Sequence, residues 1–191
     1  MSISKWQLDR AHSNISFSVR HMLVSKIRGS FTRWTGELQF DEAVPAAASV
    51  VAHIDASSID TQEQRRDARL RSADVFDVER HPLIVFRSTF VERIDERYIQ
   101  LNGELTLHGI THDVVLDVEY GGRIRDLSDR ERVGFSARTT LSRKAFGITL
   151  NPAVDAGGIG LADELEISID VEAVAESAVV TQGPPTGAFG V

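Results

Sequence analysis

Apolar and polar side chains alternate along most of this chain, and a period of two is typical of β-strands with one buried and one exposed face. The clearest run places Leu165, Ile167, Ile169 and Val171 on one face, with acidic or hydroxyl side chains between them. Similar runs predict about eight strands. They cover residues 14–20, 34–40, 50–54, 83–91, 99–107, 114–120, 133–141 and 164–173.

One segment departs from this period and favours a helix. Thr61, with Gln64 three residues later, forms a capping-box start, and residues 62–72 contain strong helix formers without Gly or Pro. We therefore predict one short helix over residues 62–72. Turns are predicted at Arg28-Gly29, His108-Gly109, Gly121-Gly122 and Gly157-Gly158. The Gly-rich residues 146–160 predict a long irregular loop.

The strand pattern indicates an all-β fold with one short helix. About eight antiparallel strands can close as a barrel or pack as a two-layer sandwich. Closure removes the exposed edges of the sheet. Eight strands are also about the number at which a barrel is filled by its own side chains or holds one ligand. Alternation alone leaves the barrel and the sandwich open.

The predicted inner face combines large aromatic side chains with small residues. A packed core accounts for each aromatic residue taken singly. Gly36, Gly103 and Ala137 on the same face leave room for a tubular space. If the strands close, we predict that the lumen is lined by Phe17, Val19, Phe31, Trp34, Leu38, Phe40, Phe86, Leu105, Leu116, Phe135, Phe146, Ile167 and Ile169.

Composition limits the classes of function. A chain of 191 residues fits one domain, predicted over residues 1–176, followed by a flexible tail over 177–191. A formal net charge of -7 argues against nucleic-acid binding, which needs a basic face. The absence of Cys excludes disulfides and thiolate metal sites. Residues 1–10 lack a signal-peptide pattern and no segment reaches the ~18 apolar residues of a spanning helix, so we expect a cytoplasmic protein.

Candidate catalytic and metal-binding residues do not group along the sequence. His108 and His112 flank a predicted turn, and a metal needs three or four converging ligands, so we expect no metal site. No serine stands in a Gly-x-Ser-x-Gly elbow. We assign no catalytic residue and expect a binding protein rather than an enzyme. Polar residues predicted at the barrel mouth are His12, His21, Arg66 and Asp67.

Two other functions fit the same strand pattern. An enzyme acting on an apolar substrate inside the barrel requires an inward-facing polar pair, either His12 or His21 with a carboxylate. A structural or stress-related interaction protein would have a filled barrel without a cavity. The three functions therefore differ in the polarity and the shape of the interior.

Several motifs follow one another in a fixed order between residues 6 and 174. They are Trp6-x-Leu8-Asp9-x-x-His12-Ser13, Gly29-x-Phe31-x-x-Trp34-x-Gly36, Arg66-Asp67-x-x-Leu70-Arg71-Ser72-x-Asp74-x-Phe76-Asp77, His81-Pro82-x-Ile84-x-Phe86, Gly103-x-Leu105-Thr106-x-x-Gly109-x-Thr111 and Arg143-x-x-Phe146-Gly147. This ordered set resembles the YceI family of polyisoprenoid-binding, lipocalin-like proteins. Arg69 and Val75 stand where members of that family often carry His and Phe.

The resemblance implies an eight-stranded antiparallel lipocalin-like barrel that is often dimeric. It implies that the lumen holds a polyprenyl chain or the tail of an isoprenoid quinone, for carriage, storage or sequestration. The bound lipid or quinone would be the ligand, with no other cofactor. The implied partners are this isoprenoid lipid and a second copy of the chain, with transient membrane contact and no nucleic acid.

Overall fold

The computed structural model describes residues 4–21, 25–149 and 161–176. They form one sheet, one α-helix and short 3-10 turns at Arg10–His12, Pro45–Ala47 and Ala56–Ser58. The strands are β1 Ser4–Leu8, β2 Asn14–His21, β3 Ser25–Phe31, β4 Trp34–Phe40, β5 Ser49–Asp55, β6 Ile59–Asp60, β7 Leu83–Arg93, β8 Tyr98–Leu107, β9 Ile110–Arg125, β10 Glu131–Ser142 and β11 Leu161–Ala175. The helix, α1, is Gln64–Arg71. The predicted tail over 177–191, the predicted turn at Gly157-Gly158 and residues 150–160 of the predicted loop lie outside the described residues.

The sheet closes on itself. Eight strands form a ring in the order β1-β4-β5-β7-β8-β9-β10-β11, and every neighbouring pair is antiparallel. Pairing of β11 with β1 closes the ring, with Trp6 opposite Ala175 and Leu8 opposite Ala173. The prediction of an eight-stranded antiparallel barrel with one short helix is therefore confirmed, and the sandwich is excluded.

Strands β2, β3 and β6 extend the sheet beyond the ring. β2 pairs with β11 between Leu161 and Asp170, β3 pairs with β2, and β6 pairs with β3. Each of the three strands is joined to a ring strand by a short connection. β2 follows β1, β3 precedes β4, and β6 follows β5. The strand prediction missed β1, β3 and β6, which are short or alternate only weakly.

Two of the predicted turns are wrong because glycine serves close packing at one of them and a positive φ, +104° at Gly122, inside a strand at the other. Gly29 lies inside β3, where a Cβ atom would come within 2.5 Å of the Phe17 ring. Gly121 and Gly122 lie inside β9, where the register with β10 shifts next to Gly134 in a bulge. The predicted turn at His108-Gly109 is present between β8 and β9.

Helix α1 begins later than the capping-box pattern predicts. Its N-cap is Glu63, whose carboxylate accepts two backbone N–H groups of the first turn. Gln62 has a φ of +63°, which is incompatible with a helix, and the Thr61 hydroxyl and backbone N–H both donate to Asp67 instead. Among the described residues, no helix combines the length and the apolar character needed to cross a membrane.

Candidate ligand-binding site

A cavity of about 480 Å³ lies inside the barrel. Its wall is built from the inward-facing residues of the strands, with a contribution from α1 and the segment that follows it. The predicted lumen residues found in this wall are Phe17, Val19, Phe31, Trp34, Leu38, Phe40, Phe86, Leu105, Leu116, Phe135, Ile167 and Ile169. A filled barrel does not fit this geometry.

Small residues contribute to the cavity less than the sequence suggests. A Cβ atom at Gly36 would lie 2.7 Å from the Leu8 side chain, and one at Gly103 would lie 2.6 Å from the Phe86 ring. Both glycines are therefore covered by neighbouring side chains. Ala137 on β10 does line the cavity. Ala52 on β5 and Ala48, just before β5, line it too.

Phe146 lies outside the cavity, contrary to the prediction. It belongs to a turn after β10 and is 2% exposed. Its ring packs edge-on against the His112 ring, with 5.1 Å between centroids, and its carbonyl lies 3.2 Å from His108 Nδ1. We predicted Phe146 in the lumen from its apolar character alone. Its position in the turn after β10 instead places its side chain against the β8–β9 hairpin.

One end of the barrel is filled by aromatic side chains, and we call it the closed end. Phe40 contacts Phe135 and Tyr120, with ring centroids 5.1 and 5.3 Å apart. The indole Nε1–H of Trp6 donates to the Phe40 carbonyl at 3.0 Å. Burial raises the pKa of the Tyr120 hydroxyl. Val133 and Ala173 complete the cluster, so this end has a packed floor.

The opposite end carries α1, and we call it the α1 end. His21 lies there at the end of β2, opposite Leu161 at the start of β11. The polar residues of the cavity wall include His21, Arg66, Arg69 and Arg143. No Asp or Glu occurs among the wall residues in the described part of the chain. The cavity therefore combines an apolar interior with a cationic edge.

Arg143 is a buried cation of the cavity wall that was not among the predicted site residues. It is 4% exposed, and its guanidinium donates to the carbonyls of Ile148, Leu161 and Ala162. These bonds tie the segment after β10 to the start of β11. The sequence feature that could have pointed to Arg143 is its position in the Arg143-x-x-Phe146-Gly147 motif.

Of the two predicted mouth residues in the helix, Arg66 lines the cavity and Asp67 does not. Asp67 is 6% exposed and accepts from Thr61 through the backbone N–H at 2.9 Å and the hydroxyl at 2.6 Å. Arg66 donates to the Thr61 carbonyl and hydroxyl. Arg71 donates to the carbonyls of Ser57 and Ile59. These bonds hold α1 against β6.

His12 lies on the outside of the barrel, not at its mouth. The turn Arg10–His12 places its exposed imidazole 3.0 Å from Asp9, in a surface cluster with Glu172 and Arg132. Hydrogen bonds from Arg132 and His12 lower the pKa of Asp9 to about 2. The cluster joins the β1–β2 turn to β10 and β11.

The enzyme alternative required His12 or His21 beside an inward-facing carboxylate. His12 is external, and His21 has no acidic neighbour among the cavity-wall residues that the structure describes. The described wall therefore lacks the acid–base pair on which that hypothesis depended.

Comparison with known sequences gives consistent matches. The family model described as the YceI-like domain matches residues 6–173. A UPF0312 protein of Vibrio cholerae is 35% identical over 164 residues, covering 86% of this chain and 82% of the relative. A UPF0312 protein of Staphylococcus epidermidis is 33% identical over 171 residues, covering 89% and 97%.

Solved structures share the same architecture. A YceI protein of Campylobacter jejuni matches with a TM-score of 0.72 and 28% identity, over 82% of this chain and 90% of that one. BcnA of Burkholderia cenocepacia matches with a TM-score of 0.77 and 22% identity, over 86% and 98%. A polyisoprenoid binding domain from Saccharophagus degradans matches with a TM-score of 0.67 and 14% identity, over 92% and 100%. Because the family model matches nearly the whole described barrel, this chain belongs to the YceI-like family.

Proposed function

We propose that this protein binds a long isoprenoid molecule in its barrel, either a polyprenyl chain or the tail of an isoprenoid quinone, and carries, stores or sequesters it. The observation that carries this proposal is the cavity of about 480 Å³, whose wall is almost entirely apolar from the aromatic floor to the α1 end. The similar structure from Saccharophagus degradans is a polyisoprenoid binding domain, which is consistent with such a ligand.

Burial of hydrocarbon supplies the binding free energy. About fifteen methylene-sized groups at about 0.8 kcal/mol each give roughly 12 kcal/mol before costs. Loss of ligand freedom removes several kcal/mol, which leaves micromolar affinity or better. Binding of this kind needs neither a metal nor a catalytic group, and we propose that the protein is not an enzyme.

The charges orient the ligand. The hydrocarbon tail points to the closed end, and a head group with oxygen acceptors, such as a quinone carbonyl or a phosphate, lies near Arg66 and Arg69. Arg66 already donates to Thr61. Arg69 lines the cavity, is exposed, and has no side-chain partner among the described residues. Arg69 is therefore the best placed side chain for a head group.

The first test varies the length of the tail. Isoprenoid alcohols of increasing length are titrated into the purified protein by competition with a fluorescent fatty acid. Affinity should rise about fourfold for each added methylene-sized group until the cavity is full, and should then level off. Affinity that does not depend on tail length would contradict binding in the cavity.

The second test addresses the head group. Arg69→Gln should weaken binding of an isoprenoid phosphate several-fold and leave the matching alcohol unchanged, because only the phosphate loses a charged partner. Arg138→Gln is the matched control, since Arg138 is an exposed residue of β10 that does not line the cavity. Equal losses in the two variants would refute the assigned orientation.

The homodimer, the cytoplasmic location and membrane contact stay predictions.

A further inference from the structure

Three potential metal ligands that are distant in sequence converge beside the α1 end. One ligand atom each from Asp77, His81 and His108 lies within 4.8 Å of the other two. Asp77 and His81 belong to the segment between α1 and β7, and His108 lies in the β8–β9 turn. Ligand atoms around tetrahedral Zn²⁺ are about 3.4 Å apart, given bonds of about 2.1 Å, so each pair of ligand atoms here has to approach by no more than about 1.4 Å to bind the ion.

The backbone has a positive φ at two of the three potential ligands. Asp77 has a φ of +44° and His108 a φ of +53°, a region that side chains other than Gly seldom adopt. Gly109 follows with a φ of +73°, and a Cβ atom there would lie 2.6 Å from the His81 ring. At His108 and Gly109 these angles are those of a two-residue hairpin turn between Leu107 and Ile110, so the turn fixes the position of His108 beside His81.

The imidazoles are also oriented by their neighbours. The rings of His81 and His108 meet edge to face, with centroids 5.0 Å apart. His108 Nδ1 lies 3.2 Å from the Phe146 carbonyl, and a hydrogen bond there requires the proton on Nδ1. Nε2 of His108 then carries the free lone pair, as in metal sites whose His donates its other N–H to a carbonyl.

The Asp77 carboxylate is largely shielded and weakly paired. Its side chain is 13% exposed, and its ion-pair partner, Arg80, is 3.7 Å away and 81% exposed. A second group of potential ligands, Asp9, His12 and Glu172, is geometrically similar. There Arg132 already contacts both carboxylates, at 2.7 and 3.2 Å, so a cation would have to displace it.

We propose that Asp77, His81 and His108 bind a divalent late first-row transition ion such as Zn²⁺. Two imidazole nitrogens and one carboxylate oxygen suit such an ion, and water completes its coordination. The ion clamps the segment after α1, which carries Val75 and Phe76 of the cavity wall, to the β8–β9 turn. Metal binding thereby fixes one side of the α1 end.

The test is a Zn²⁺ titration of the metal-free, full-length protein against a chromophoric chelator. The wild type should bind one Zn²⁺ per chain. Asp77→Asn and His108→Asn should each weaken Zn²⁺ binding by at least about tenfold. Tenfold is the lower limit of the loss in metal affinity when a residue that only supports a metal ligand is removed. Asn tolerates a positive φ, so both variants keep the backbone preference of these sites. His12→Asn is the matched control and should bind Zn²⁺ as the wild type does.

Histidine NMR of the wild type gives a readout that needs no variant. Zn²⁺ should shift the imidazole resonances of His81 and His108 and leave those of His12 in place. A wild type without a saturable site, or a loss of binding confined to His12→Asn, would overturn the proposal. Zn²⁺ shifts restricted to His12 would overturn it as well.

Discussion

Filling the cavity from one strand should weaken ligand binding in proportion to the volume lost. Ala137 points inward from β10 between Val118 and Ile169, and it lines the cavity. Ala137→Leu adds three carbon atoms and displaces about three methylene-sized groups of the ligand. At about 0.8 kcal/mol each, the loss is about 2.4 kcal/mol, or about 60-fold in affinity. The unliganded protein should keep or gain unfolding free energy, because the added carbons are buried in existing space.

Quenching of Trp34 fluorescence by an isoprenoid quinone measures this effect, since Trp34 lines the cavity while Trp6 lies in the closed end. Thr140→Leu is the matched control, because Thr140 is an exposed residue of the same strand. It should bind the quinone like the wild type. An unchanged affinity in Ala137→Leu, or an equal loss in both variants, would refute binding inside the barrel.

Three further predictions concern stability, each measured by urea unfolding. Asp67→Asn should lower the unfolding free energy by about 1–3 kcal/mol, because a buried acceptor of two hydrogen bonds is replaced by a poorer one; no loss would contradict its anchoring role. Gly109→Ala should cost at least about 1–2 kcal/mol, because its φ is positive and the added Cβ would meet the His81 ring, while Gly134→Ala, which has open space and no positive φ, should be nearly neutral. The pKa of Asp9 is lowered from 3.8 to about 2 in the folded protein, so Asp9 adds to the unfolding free energy at pH values above 3.8. That contribution is lost as the pH falls toward 2. Arg132→Gln should therefore flatten the fall of unfolding free energy between about pH 4 and pH 2, and an unchanged slope would refute this linkage.

Seven of the eight ring strands, all except β1, were predictable because alternation is a local signal that strands carry in their own sequence. The missing strands show where that signal weakens. β6 has two residues, which are too few to show a period. β3 contains Gly29, and the sequence predicts a turn there because it does not reveal that the Phe17 ring packs against this glycine. The sequence also could not choose between closure and a sandwich, since closure depends on the pairing of β1 with β11 across nearly the whole chain.

The apolar wall was predictable for the same reason, whereas of the four polar residues predicted at the mouth only His21 and Arg66 line the cavity. Strand residues such as Ile167 reach the cavity because their face follows from alternation. Phe146 and His12 lie in turns, whose direction depends on distant partners, and both were misplaced. The cluster of His81 with His108 joins two loops, so no spacing along the chain could reveal it.

The central claim is that one isoprenoid molecule occupies the barrel, and native mass spectrometry tests it most directly. The purified protein is incubated with an isoprenoid quinone, passed through a desalting column and measured under non-denaturing conditions. We expect a mass increase of one quinone per chain, reduced in Ala137→Leu and retained in Thr140→Leu. Spectra that contain only the bare chain, or that show several quinones per chain equally in both variants, would contradict the claim.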